Sequence, residues 1–520
     1  MYTKGSSIIE IIIALAVLTF GITAGTLLAF SNQSIELDTQ TASEALYITK
    51  DAIENVRATA QGDFSEIASL EITQSIDIYT NQIFALNSDC SKRVTSLTTW
   101  QTDAQRDKYI SLTTEIADMT EALALGGGCT GFPGDEWYHP DTSNVANTNP
   151  ASARGTGVDV AKINGRAYAF VTSDISGSSQ DDFWAFDVED VTQTTAPTKM
   201  TSLDTGLGLV DIAVAKQEST GKYFAYVANK EIEVPPSDPV VREQLQVIEV
   251  TNIDDPNPHN RAVLRASIEL PGVDPEGSYP EGRSIFYYNN KVYIGIAETD
   301  GPEFHVFNVT NPTSPQHLGS IELTHNVNDI VVRGDYAYLA TSDNSGEVMV
   351  IDISNPSAMV HPDISGLKYN APGSADATAV YVSGNTLYAG RNRDGSQDDF
   401  FVLDIESDHT LTLNTSVDFD DNLCDIYNPT TGNYNTNQKC LKNNTAITGI
   451  QVSGKFAFLS TTNSTAGFQV WEIFDLANIK NRSAYNYSEN STDLQFFNDR
   501  VYTSNTSNNI LRVIFDNPPA

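Results

Sequence analysis

Four carboxylates occupy one column of a repeated pattern: Asp159, Asp211, Asp329 and Asp493 each stand early in a strand-like segment, ahead of a turn signal. Ser284, Ala379 and Gly449 fill the same column in the remaining repeats. Carboxylates that converge on one axis can hold a cation, and small residues between them suit a crowded axis. The same geometry also serves structure, because an Asp side chain accepts readily from backbone N–H groups of its own or a neighbouring repeat. A second acidic set lies in the loops SDISGSSQDD (173–182), SDNSGE (342–347) and RDGSQDD (393–399). These read as solvated turns. Ca²⁺ is the ion they would take, yet none carries the D-x-[DN]-x-[DN]-G framework of a calcium loop.

Signals for catalysis are missing from the sequence. It contains no H-E-x-x-H, G-x-S-x-G, phosphate-loop or dinucleotide fingerprint. The seven histidines (His139, His259, His305, His317, His325, His361 and His409) are scattered without metal-ligand spacing. Binding rather than an enzymatic reaction is therefore expected, with no cofactor beyond that Ca²⁺. The 67 Asp and Glu against 30 Lys and Arg give a net charge of −37, which repels phosphate backbones and argues against a nucleic-acid partner. Four cysteines allow three pairings, and Cys90–Cys129 with Cys424–Cys440 needs no bridge between domains. Nine N-x-S/T sequons, at Asn32, Asn308, Asn414, Asn443, Asn463, Asn481, Asn486, Asn490 and Asn505, are compatible with glycosylation.

One more carboxylate stands apart. Glu10 sits at the leading edge of Ile11–Phe30, a run of 20 residues without a charge or a proline. That run is long enough to cross a bilayer as a helix, and Lys4 ahead of it favours a cytoplasmic N-terminus. A carboxylate in hydrocarbon is costly unless paired, so Glu10 marks a function. The arrangement MYTKG-SSIIE-IIIALAVLTF resembles the class III signal of type IV pilins. The resemblance implies cleavage by a prepilin peptidase after Gly5, a new amine at Ser6, and pairing of that amine with Glu10 of a neighbouring subunit during assembly. Major pilins usually carry Phe or Met where Ser6 stands, and many carry a proline where Leu27 stands, which points away from a major fibre subunit.

The elements that position these groups follow from periodicity. Ala42, Ala45, Leu46, Ile48, Ile53 and Val56 recur at three- and four-residue spacing and predict an amphipathic helix. Its motif ASEALYITKDAIENVRA resembles the helix of minor pilins and pseudopilins. Strand-like segments follow at Ile72–Tyr79, Arg93–Trp100 and Lys108–Ile116, so a helix laid on a small antiparallel sheet is expected for residues 31–130. The Gly-, Pro- and Asn-rich stretch 131–157 reads as a linker and ring-closing strand.

From Val158 the chain repeats itself seven times, with units at 159–188, 211–250, 284–323, 328–356, 379–405, 449–474 and 493–515. Turn pairs recur inside them, at Asn164-Gly165, Asn289-Asn290, Gly334-Asp335, Gly384-Asn385, Gly454-Lys455 and Asn498-Asp499. These pairs tolerate the positive φ of two-residue hairpins. Four strands per unit, many times over, predict a β-propeller of about seven blades across 158–520. The strands VMVIDI, FFVLDI and LQVIEV resemble those of LVIVD repeats. The last unit lacks a fourth strand, which residues ahead of Val158 are expected to supply. The insertion 418–444, with its cysteine pair, reads as a decorated loop and a candidate contact surface.

The fold class expected is mainly β: a long pilin-type helix with a small antiparallel sheet, then the propeller. Residues 1–5 would be the leader and 6–30 the transmembrane and assembly helix. The function expected is that of a minor or specialised pilin, anchored in the inner membrane before assembly with other pilin subunits. On the cell surface its propeller would meet an unknown ligand or glycan. Three alternatives compete: the main subunit of a decorated filament, a propeller-borne hydrolase or lyase, and an anchored propeller that never polymerises.

Overall fold

The computed structural model describes residues 18–20, 22–23, 39–60, 64, 67, 71–87, 90–101, 107–125, 137, 141–142 and 154–516, apart from 176–180, 193–194, 207, 231–242, 273–280, 394, 396, 420–422, 429–432, 442–444, 487–488 and 508. Gly5, Ser6 and Glu10 lie outside the described residues. Within the apolar run, residues 18–20, 22 and 23 are helical, with Leu18, Phe20 and Ile22 exposed. Among the described residues no helix is long and apolar enough to cross a membrane. The chain divides into two compact units, 1–86 with 92–116, and 87–91 with 117–520.

In the first unit, helix α1 (39–60) presents Ala45, Thr49, Ile53 and Val56 as its buried stripe. Leu46, expected on that stripe, is instead 46% exposed: it follows Ala45 directly and so lies about 100° around the helix from it. Thr49 stays inside by donating to the Ala45 carbonyl (2.6 Å) and to Thr98 Oγ1 (2.7 Å). The helix covers an antiparallel sheet of strands β1 (Glu71–Ile76), β2 (Tyr79–Asn87), β3 (Ser91–Gln101) and β4 (Asp107–Ala117), in that spatial order. Two clusters, Val56–Ile67–Ile83–Val94 and Ala45–Tyr79–Trp100, fill the space between them. The segment 72–79, expected as one strand, is a hairpin instead. Asp77 takes φ 51° and turns the chain back into β2.

Among the described residues the second unit holds seven sheets, each built on a run of consecutive antiparallel strands. Their inner strands are Gly155–Ile163, Leu209–Gln217, Gly282–Tyr288, Val327–Arg333, Ala377–Ser383, Ile447–Ser453 and Ser491–Phe497, for blades 1 to 7. Each inner strand touches the next, and that of blade 7 touches that of blade 1. The sheets thus form a closed ring, with one apolar cluster between each pair of blades. Turn chemistry sets the hairpins: Asn164, Gly165, Asn289, Asn290, Gly334, Gly384, Gly454, Asn498 and Asp499 all have positive φ.

Blade 7 takes its outer strand from Asp141–Thr142, which pairs with Phe515 and Ile514. Nearby Trp137 is fully buried among Phe458, Phe468 and Phe496, so part of the 131–157 stretch is core rather than linker. The insertion 418–444 is not a plain loop. It forms a hairpin (Leu423–Asn428, Asn433–Lys439) that extends blade 6 by parallel pairing with Lys480–Tyr485. Cys424 and Cys440 are bonded there. Cys90 is also disulfide-bonded, and its expected partner Cys129 lies outside the described residues. Two sequon asparagines, Asn463 and Asn505, are buried and hydrogen-bonded, which closes them to glycosylation.

Candidate functional site: the propeller channel

The strand pairing places the aspartate column at one level of the central channel. A register shift precedes the column residue in every inner strand, tilting its side chain toward the next blade. Each carboxylate then works twice. One oxygen accepts from the N–H of the following residue: Val160, Ile212, Ile330 and Leu494, at 2.7–2.8 Å. The other accepts from the next blade. Asp159 reaches Val214 N (2.6 Å), Asp211 reaches Ile285 N (2.8 Å), Asp329 reaches Val380 N (2.8 Å) and Asp493 reaches Val158 N (3.0 Å).

A steric rule is visible in those partners. Where the next blade has no aspartate, at Ser284 and Ala379, its first N–H past the column is free to donate to the neighbour's carboxylate. Where it has one, that N–H is already taken, and the incoming carboxylate bonds a different peptide. Gly449 is small for a related reason: a Cβ there would stand 2.8 Å from Ser460 Oγ and 3.1 Å from Asp493 Oδ1.

Of the two readings of this column, backbone capping is the one its hydrogen bonds display. Among the described residues no group of three or more His, Cys, Asp or Glu side chains is arranged to hold a metal ion. Burial pushes the carboxyls of Asp159 and Asp329 up to about 7 and that of Asp211 up to about 6, against the amide donors that pull them down. Asp493 rises as well, through burial and then the charges of Asp211 and Asp329.

Two further sets of residues escaped the sequence reading. Just upstream of the column, Thr156, Asn328, Thr378, Thr448 and Thr492 donate to carbonyls of the next blade: Leu209, Ala377, Ile447, Ser491 and Gly155. The aligned repeats carry this signal as a polar residue ahead of the column. The second set closes the acidic loops. Asp182, Glu347 and Asp399, expected to be solvated, are buried at the start of a third strand, and Glu303 matches them. Each clamps the segment that follows the fourth strand, by accepting from Thr205 and Gly208, Ala371, Phe419, or Leu323 and Thr324. Burial raises Asp182 and Asp399 to about 6 and Glu303 to about 7. Other loop acids bind serines, as Asp181 does Ser202 and Asp343 does Ser345.

Beyond the carboxylates lies a cavity of about 220 Å³. Its wall is the ring two residues past the column: Ala161, Ala213, Phe286 and Val331 on blades 1–4, then Tyr381, Gln451 and Gln495 on blades 5–7. One arc is therefore apolar and the other polar. Gln451 Nε2 donates to Gln495 Oε1 at 3.1 Å. Tyr381 is 8% exposed, and its hydroxyl has no hydrogen-bond partner among the described residues.

The mouth carries Lys162 and Arg333, with Glu121 and Leu125 beside them. Glu121 belongs to helix α2 (Met119–Ala124), whose Asp118 caps it by accepting from Thr120 and Glu121 N–H. Tyr288 OH donates to Glu121 (2.8 Å), Asn289 N–H donates to the Ala124 carbonyl (2.7 Å), and Arg333 lies 3.9 Å from Glu121.

One repeat of the ring is similar to a known family. Residues 325–362, which include most of blade 4, match the LVIVD repeat. No curated protein matches the chain. Among solved structures, a catalytically inactive virginiamycin B lyase from Staphylococcus aureus with quinupristin is 8% identical, with a TM-score of 0.45 over 72% of this chain and 99% of that one. BamB from Moraxella catarrhalis is 10% identical, with a TM-score of 0.34 over 86% of this chain and 95% of that one. Likenesses this distant say nothing of activity. The propeller rests on the closed ring of sheets and on the LVIVD repeat in its fourth blade.

Proposed function

We propose that this protein is a minor or specialised pilin-like subunit that displays its propeller on the cell surface for adhesion or ligand recognition. The observation that carries the reading is Glu10 at the head of the uncharged run Ile11–Phe30, preceded by Gly5-Ser6. A lone carboxylate is retained in such a place when a partner neutralises it, and the amine freed at Ser6 of an adjacent subunit is that partner. The helix-on-sheet unit formed by α1 and β1–β4 supports the reading, because it is the kind of body a pilin helix carries outside the membrane. Prepilin peptidase and other pilin subunits are the partners it requires, and the inner membrane holds the subunit before assembly.

Mass spectrometry of the mature chain tests the first step, with Ser6 expected as its first residue. Any other N-terminus sinks the proposal. Glu10→Val tests the second: processing is expected to continue while incorporation into sheared surface filaments is lost.

A further inference from the structure

We propose that the propeller channel is a binding site for one uncharged sugar ring, held between Phe286 and the Gln451–Gln495 pair. The inference rests on the recognition role proposed above, and it is independent of filament assembly. Size comes first. A cavity of about 220 Å³ lies below the roughly 300–1,000 Å³ of sites for drug-sized ligands. It fits a single small ring rather than a peptide or an oligosaccharide.

Polarity narrows the class. In a ring of seven blades, blade 3 stands opposite the junction of blades 6 and 7. Phe286 therefore stands across the axis from Gln451 and Gln495, half-buried against the apolar clusters of blades 3 to 5, with Ala161 and Ala213 leaving room at its side. An aromatic face on one wall suits the C–H face of a pyranose, and amide groups on the other suit its hydroxyls. The Gln–Gln hydrogen bond leaves Gln451 Oε1 to accept and Gln495 Nε2 to donate, which matches a pair of neighbouring hydroxyl groups.

Charge excludes the other classes. The carboxylate column at one end disfavours anions, and Lys162 at the mouth disfavours cations, Arg333 being paired there with Glu121. A neutral polyhydroxylated ring satisfies both ends.

Saturation-transfer difference NMR on the purified full-length chain in detergent tests this, with methyl glucoside, methyl galactoside, methyl mannoside and N-acetylglucosamine as separate probes at millimolar concentration. Transfer to the ring protons of at least one sugar is expected. Phe286→Ala and Gln495→Leu should each weaken binding about tenfold, equivalent to roughly 1.4 kcal/mol. Ala213→Phe should abolish it by filling the open side. Gln495→Glu, which keeps the shape of the side chain and removes its amide donor, should weaken binding with an unchanged unfolding temperature. The proposal is overturned if no sugar shows transfer to the wild type, or if binding is undiminished in Gln495→Leu and Ala213→Phe. Failure here with Glu10-dependent display intact removes the sugar site alone. Loss of Glu10 dependence removes the filament reading and leaves the channel result standing.

Discussion

Seven junctions close the ring, and they are of two kinds. Between blades 7 and 1, 1 and 2, 2 and 3, and 4 and 5, a buried aspartate carboxylate spans the gap to a peptide N–H. Between blades 3 and 4, 5 and 6, and 6 and 7, the column offers Ser284, Ala379 or Gly449 and no carboxylate. Each of those three junctions receives side chains from outside the seven repeats. Ala124 and Leu125 of the α2 segment pack with Tyr288, Ile330 and Val332 at the first. Phe419, Cys424, Cys440 and Leu441 join the cluster at the second, where Phe419 stacks on Trp471 at 4.4 Å. Trp137 fills the third. A buried carboxylate bridge and added apolar area are thus alternative ways to hold two blades together: the inserts stand where the column has no aspartate, while hydroxyl and amide bonds cross both kinds of junction.

Removing an insert should have the largest effect. Trp137→Ala deletes a fully buried indole against three phenylalanines, and a loss of about 3–5 kcal/mol is expected. Chemical denaturation of the full chain measures it. A change under 1 kcal/mol would mean that blades 6 and 7 hold without the insert, and the comparison would break there. Next comes the Cys424–Cys440 bond, which closes a loop of 16 residues and should contribute about 3 kcal/mol. A paired Cys424→Ser, Cys440→Ser variant reads this against the wild type.

The bonded junctions should cost less to disturb. Asp329→Ala strands the N–H groups of Ile330 and Val380, which predicts a loss of about 1–3 kcal/mol. The pH dependence sharpens the contrast. A carboxyl whose pKa is raised by folding contributes stability that is fully present below its unfolded value, near 4, and is lost as pH rises through the folded one. For Asp159, Asp211 and Asp329 the folded values are about 7, 6 and 7. The unfolding midpoint should therefore climb as pH falls from neutral toward 5. The slope should be smaller in Asp329→Asn, which cannot titrate, and a slope equal to that of the wild type would remove the column from this account.

The legible part of this fold was its repetition. The turn pairs at Asn289-Asn290 and Asn498-Asp499 carry positive φ in the structure, as their residue types require, and the aspartate column converges on the channel. The contacts between repeats were hidden, because no local pattern marks a partner about 50 residues away. Trp137 read as linker since the stretch 131–157 around it is rich in Pro, Asn and Thr, and its burial depends on blades more than 300 residues downstream. The hairpin at Asp77 was hidden for another reason: Ile72, Ile76, Ile78 and Tyr79 look continuous, and only the left-handed Asp77 breaks them. Asp182 and Asp399 misled because acidic loop residues are usually wet, and the donors that offset their burial, backbone N–H groups and the Thr205 hydroxyl, come from a segment some 20 residues away.

The smallest effect expected concerns the hydroxyl girdle. Thr378 donates to the Ile447 carbonyl across the junction of blades 5 and 6, which has no aspartate of its own. Thr378→Val keeps the shape and deletes one neutral hydrogen bond, so a loss of about 0.5–1.5 kcal/mol is predicted. Thr156→Val makes the same deletion at the junction of blades 1 and 2, where Asp159 already bridges the gap. If polar bridging is shared between the two girdles, the second substitution should cost less than the first, because the carboxylate still fixes the separation of the strands. Equal losses would show that each bond acts alone, and that the division of junctions into two kinds concerns the apolar inserts only.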